Sequence, residues 1–284
     1  MTMLQILTST WHLEPWVLAL SVCLITSYVY VTHFNLNKHS ILFLTGVVIF
    51  FLTLTSPLSM LGRTYLFSAN MIQHITLLLI VPLLLLLGIP PILIEKVSVR
   101  STLMPLMRTL GNPLIAWFFG VGAMWIWHLP SLHDEVLRNE NLYVVQQVSF
   151  IIFGAIFWWP VFAPINRMRL SPLTSTLYLA SACLGCSILG ILITFASVGL
   201  YAAYLNPVDT YGILSLLRND LCITPGVDQQ IGGLTMWIPG CLIYLLASML
   251  TFVRWYSSPE DEDLVDQTLE IDTRIRSTYG RENN

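Results

Sequence analysis

Asn70-Met71-Ile72-Gln73-His74-Ile75-Thr76, running on without a single charge through Leu77 to Gly88-Ile89-Pro90, is the stretch that decides how this chain folds. The apolar run is long enough to cross a hydrocarbon layer of about 30 Å, which takes roughly 20 helical residues. Polar side chains occur only in its first turns: Asn70, Gln73, His74 and Thr76. On a helix Asn70 and His74 lie four apart and share a face. A ligating group just inside a membrane span is a functional hypothesis by default, so the rest of the chain is read by asking what meets His74.

The surroundings are built for lipid. Of 284 residues, 55% are hydrophobic and only 10% charged, with a mean hydropathy of +0.72; a soluble domain carries about a quarter charged residues. The Lys and Arg are few and dispersed, which excludes a nucleic-acid surface. The start, Met1-Thr2-Met3-Leu4-Gln5, lacks the basic segment of a cleaved leader, so the first apolar segment reads as a retained helix.

Hydropathy divides the chain into seven spans, near 15–33, 40–55, 69–89, 112–128, 143–163, 174–199 and 234–256. The expected fold is an all-α polytopic membrane bundle of seven helices over residues 1–257, with an acidic tail over 258–284. Ten Lys and Arg fall on one side of these spans and three (Arg63, Arg138, Arg218) on the other. The positive-inside rule then places the N-terminus outside and the tail in the cytoplasm. In that orientation the polar residues converge on the outer face: Asn70, Gln73 and His74, Trp125, Trp127 and His128, Tyr143 and Gln147, and Asp228, Gln229 and Gln230. The inner face shows basic loops with Trp158 and Trp159 as aromatic anchors. The connection from Leu200 to Gly233 is the longest and is placed to cap the outer helix ends.

Each candidate has two readings. His74 with Asn70 is a metal ligand with a polar neighbour, or a helix-packing hydrogen bond near the interface. His128, in Trp127-His128-Leu129-Pro130, is a ligand or an interfacial hydrogen bonder before a helix-ending proline. Asp228 binds a cation beside the histidines or satisfies free amides at a helix start. Met236 and Met71 offer thioethers, which select Cu(I), or simply fill space. Four of five cysteines lie in apolar segments, which argues against a disulfide framework; Cys183-Leu184-Gly185-Cys186 has a metal or redox spacing but equally marks a helix contact. A retinal site needs a lysine in the last span, and only Lys38 and Lys96 exist. A haem between two imidazoles has only His74 and His128 to draw on.

Several motifs in order resemble one family. Tyr65 to His74, the leucine run to Pro90, Trp127 to Pro130, Phe157-Trp158-Trp159-Pro160 and Asp228 to Gly240 are similar to the CtaG family of bacterial cytochrome c oxidase assembly proteins, over about Trp11 to Trp255. The resemblance implies a seven-helix plasma-membrane protein that helps mature a haem-copper oxidase and handles copper at the outer face. Of the family's positions, His74, His128, Asp228 and Met236 are retained, giving His74, His128 and Met236 as the implied copper ligands. Asn70, Tyr143 and Gln147 stand where family members carry histidine. Three readings follow: an assembly factor for a cytochrome c oxidase or another respiratory complex, a permanent metal-free accessory subunit, and a small-molecule or ion carrier. A carrier calls for inverted repeats or paired broken helices, and neither is visible. No nucleophile–base pair can be named, so an enzyme is not expected.

Overall fold

The structure, a computed structural model, describes residues 10–33, 37–90, 105, 109–164 and 168–256. The expected acidic tail (258–284) and the basic positions Lys96, Arg100, Arg108 and Arg167 lie outside them. The helices are α1 (Pro15–Thr32), α2 (Lys38–Thr55), the short α3 (Pro57–Thr64), α4 (Phe67–Ile75), α5 (Val81–Leu87), α6 (Pro113–Trp127), α7 (Pro130–Arg138), α8 (Glu140–Phe162), α9 (Pro172–Phe195) and α10 (Pro225–Tyr256). Among the described residues six stretches are long and apolar enough to cross a membrane, and a seventh follows if the pair α6–α7, bent by 75°, counts as one span. The bundle is all-helical, as the hydropathy reading expects.

The third span is not a uniform helix. Between α4 and α5 the residues Thr76–Ile80 form a π-turn, immediately before Pro82. A proline removes one donor from the ladder, and neighbouring groups must take up the freed carbonyls. Here the indole of Trp158 donates to the Leu79 carbonyl at 2.9 Å. Trp158 is fully buried in the core, which corrects its expected role as an interfacial anchor.

The closest helix pair is α9 with α10. Gly190 and Gly233 face one another: a Cβ on Gly190 would sit 2.9 Å from the Gly233 carbonyl, and one on Gly233 2.8 Å from that of Gly190. Only hydrogen in place of Cβ permits that approach. A disulfide between Cys183 and Cys241 ties the same two helices, which corrects the expectation that these cysteines stay unpaired. Cys186, three residues on, turns away from Cys183 to Met124 Sδ and the Tyr244 hydroxyl.

Helix α10 begins at Pro225, nine residues before the expected start near 234. Asp228, Gln229 and Gln230 therefore lie on its first turns, not in the loop before it. The loop from α9 folds back over this end of the bundle. Tyr201 stacks on Phe67 with centroids 4.4 Å apart and donates to the His128 carbonyl at 3.0 Å. Tyr204 donates to the Gly62 carbonyl at 2.7 Å; burial pushes its phenol well above the usual range, so it stays a donor.

Candidate functional site

The polar residues expected to converge do gather at one end of the bundle, but they sort into two groups. The first consists of groups tied to the protein by hydrogen bonds, Asp228 and Gln229 through both ends of the side chain, Asn70 and Gln73 through their amide nitrogens while their oxygens stay buried without a partner. Asp228, 1% exposed, accepts from the Phe67 and Ser68 amides at 2.7 and 3.0 Å and from the Ser68 hydroxyl at 2.5 Å. Those amides open α4 and have no partner within their own helix. Asp228 thus caps a helix 160 residues away in sequence, with its charge at the positive end of that helix. Gln229 does the same work for the end of α9: its oxygen accepts from the Gly199 and Leu200 amides, and its nitrogen donates to the carbonyls of Ile193, Ala196 and Ser197. Gln73 donates to the Thr53 carbonyl at 3.0 Å, and Asn70 to that of Gly62 at 3.2 Å.

Tyr143 and Gln147 lie on α8. The Tyr143 hydroxyl is 3.4 Å from Ser59, and the Arg63 guanidinium sits over its ring at 4.7 Å. A fixed cation there disfavours a metal ion. Gln147 donates to its neighbour Gln146 at 3.2 Å.

The second group is different. His74, near the end of α4, and His128, the C-terminal cap of α6, are both buried. His74 Nδ1 lies 3.4 Å from His128 Nε2, and the rings are nearly perpendicular at 89°. His128 Nδ1 is 2.5 Å from the Met124 carbonyl. A carbonyl only accepts, so Nδ1 carries the proton and Nε2 presents a bare lone pair. That lone pair faces the thioether of Met71 at 3.2 Å, a second atom without a proton. His74 Nε2 is buried without a hydrogen-bond partner.

A cavity of about 10 Å³ adjoins the pair, lined by His74, Met124, His128, Phe150, Cys186 and Met236 among others; that is room for one water-sized occupant. Met236 belongs to its wall.

Sequence reasoning missed His133. It falls between the expected spans 112–128 and 143–163, where Pro130 opens α7 and His133 is buried on that helix. The ring is fully buried, neither nitrogen has a hydrogen-bond partner, and its centroid is 6.1 Å from that of His74 and 6.4 Å from that of His128. The buried face Leu129, His133, Val136 at helical spacing behind a proline was the available signal. Among the described residues no three His, Cys, Asp or Glu side chains are disposed to hold a metal ion.

Fold and site together define a polytopic helical membrane protein with a buried histidine–methionine cluster near one end of the bundle. The model of the caa3 assembly factor family of cytochrome c oxidase (Caa3_CtaG) matches residues 32–258. The chain belongs to that family. An uncharacterized protein of Mycobacterium leprae (strain TN) is 24% identical over 228 residues, covering 75% of this chain and 33% of the relative, so the chain spans about a third of the length of the curated relative it matches. No solved structure matches it.

Proposed function

We propose that this chain is an assembly or accessory protein of a respiratory cytochrome c oxidase and that it handles copper with His74, His128 and Met236. The observation that carries the copper reading is the tautomer of His128. Imidazoles that bind metals characteristically donate their other ring N–H to a carbonyl or carboxylate, and His128 does so to Met124. His74 and Met236 line the cavity that His128 also lines. Copper is cargo in this reading, and the protein is not an enzyme. It sits in the bacterial plasma membrane with the histidine end outside and the tail in the cytoplasm, an orientation supported by the distribution of Lys and Arg.

A second reading has its own observation. Asn70, Tyr143 and Gln147, at positions where the resembling family carries histidine, are engaged with protein groups, as they would be in a permanent metal-free subunit. The two are separated by isolating the tagged chain from its native membranes in mild detergent and quantifying its partners. Recovery of respiratory subunits at near one-to-one supports the resident subunit. Trace recovery, together with loss of oxidase activity on gene deletion, supports the assembly factor. Recovery of no respiratory subunit, with oxidase activity intact after deletion, overturns both.

A further inference from the structure

We infer that Met71, with His74 Nδ1 and His128 Nε2, forms a two-nitrogen, one-sulfur site selective for a soft monovalent cation, Cu(I). The inference rests on the copper reading above and changes its sulfur ligand from Met236 to Met71.

The argument begins with proximity. His128 Nε2 is the shared corner, 3.4 Å from His74 Nδ1 and 3.2 Å from Met71 Sδ. An ion bonded at about 2.0 Å to each nitrogen and about 2.3 Å to sulfur would subtend about 115° between the two nitrogens. The same bond lengths give about 95° between His128 Nε2 and the sulfur. Both angles fit a three-coordinate centre or an open tetrahedron. Met71 and His74 are three residues apart on α4, so one helical face presents both. Met236 lines the cavity and Met71 does not, but the thioether in contact with an imidazole nitrogen is that of Met71.

Hydrogen bonding alone leaves part of the cluster unexplained. If His74 Nδ1 donates to His128 Nε2, the Met71 sulfur beside that nitrogen gains no partner. A cation between them would give the lone pairs of His128 Nε2 and Met71 Sδ a shared partner.

Charge selects which cation. All three donors are neutral, and the nearby carboxylate of Asp228 is already committed to three donors of α4. The cost of burying an ion without an anionic ligand rises steeply with its charge. A monovalent ion is therefore favoured over Cu(II) or Zn(II), and a thioether favours a soft one. Those two conditions describe Cu(I), with Ag(I) as its redox-inert probe.

The test uses the full chain in detergent under anaerobic, reducing conditions. Cu(I) is titrated against a chromophoric Cu(I) chelator, and the copper environment is read by X-ray absorption. The wild type is expected to bind one Cu(I) with a sulfur neighbour near 2.3 Å, and not to bind Zn(II) at the same concentration. Met71→Leu should weaken Cu(I) binding by at least about tenfold and remove the sulfur signal. Met71→Cys should keep that signal. Thermal unfolding of each variant checks that the fold persists. Unchanged binding and sulfur signal in Met71→Leu, with both lost in Met236→Leu, overturns the Met71 site and leaves the copper reading standing. A wild type that binds no Cu(I) overturns both.

Discussion

Two groups of buried polar residues sit within a few turns of each other, and they differ in what they leave unpaired. Asp228 and Gln229 spend every polar atom on structural partners: two amides and a hydroxyl of α4 for the one, amides and carbonyls at the end of α9 for the other. His128 and Met71 turn lone pairs toward one another beside His74, and His133 has no partner at either nitrogen. Burying a polar group without a partner costs free energy. A fold that satisfies one group so fully and leaves its neighbour open has separated structure from function. The first group holds the helix ends in register. On the copper reading proposed above, the second would hold the cation.

That contrast makes quantitative predictions. The largest is at Asp228. Asp228→Ala strands the two backbone donors and the hydroxyl that open α4, and should cost on the order of 4 kcal/mol, since each charge-assisted bond is worth about 1.5–3 kcal/mol. A large drop in the thermal midpoint in detergent, or failure to accumulate, is the expected result. A change of a degree or two would mean that Asp228 is not a structural staple. Gln229→Ala should cost less, about 2 kcal/mol, because its bonds are neutral; solvated ends of α9 would show as faster amide exchange at Gly199 and Leu200.

The histidine group should respond in the opposite sense. His74→Leu exchanges a ring with an orphan nitrogen for an apolar side chain, so stability should move by no more than about 1 kcal/mol while Cu(I) binding is lost. Large destabilisation with binding retained would reverse the assignment of the two groups. His133→Phe is the smallest effect expected: the ring lies among Phe67, Tyr201 and Tyr204, and removing two unsatisfied nitrogens should leave stability unchanged or raise it by about 1 kcal/mol. Loss of Cu(I) binding in that variant would make His133 a fourth ligand. Restoring histidine at Asn70, Tyr143 and Gln147 together should add a second metal only when Arg63 is also replaced, given its position over Tyr143; no second metal under either condition would mean that these positions are not ligands in this fold.

The membrane fold was legible because hydropathy acts over about twenty residues at a time. The span containing His74, and the convergence of His74 and His128 on one end of the bundle, followed from counting spans. What was not legible depends on contacts between distant segments. Asp228 could be read as a cap, but its partners are Phe67 and Ser68, 161 and 160 residues away, and no local pattern names them. Cys183 was weighed against Cys186 because they are close in sequence, whereas its disulfide partner lies 58 residues on. The start of α10 was set too late because Asp228-Gln229-Gln230 depress hydropathy, although Pro225 was a helix-start signal. His133 was hidden because it falls between the expected spans 112–128 and 143–163. Met71 was seen as a thioether source but not singled out over Met236, since only the packing of α4 against the end of α6 shows which sulfur meets an imidazole.

The most direct measurement is the copper-to-haem ratio of the cytochrome c oxidase purified from cells whose only copy of this chain carries His74→Leu and His128→Leu. The account predicts an oxidase depleted in copper while the variant chain accumulates to normal levels in the membrane. An oxidase with its full copper complement in those cells would contradict it.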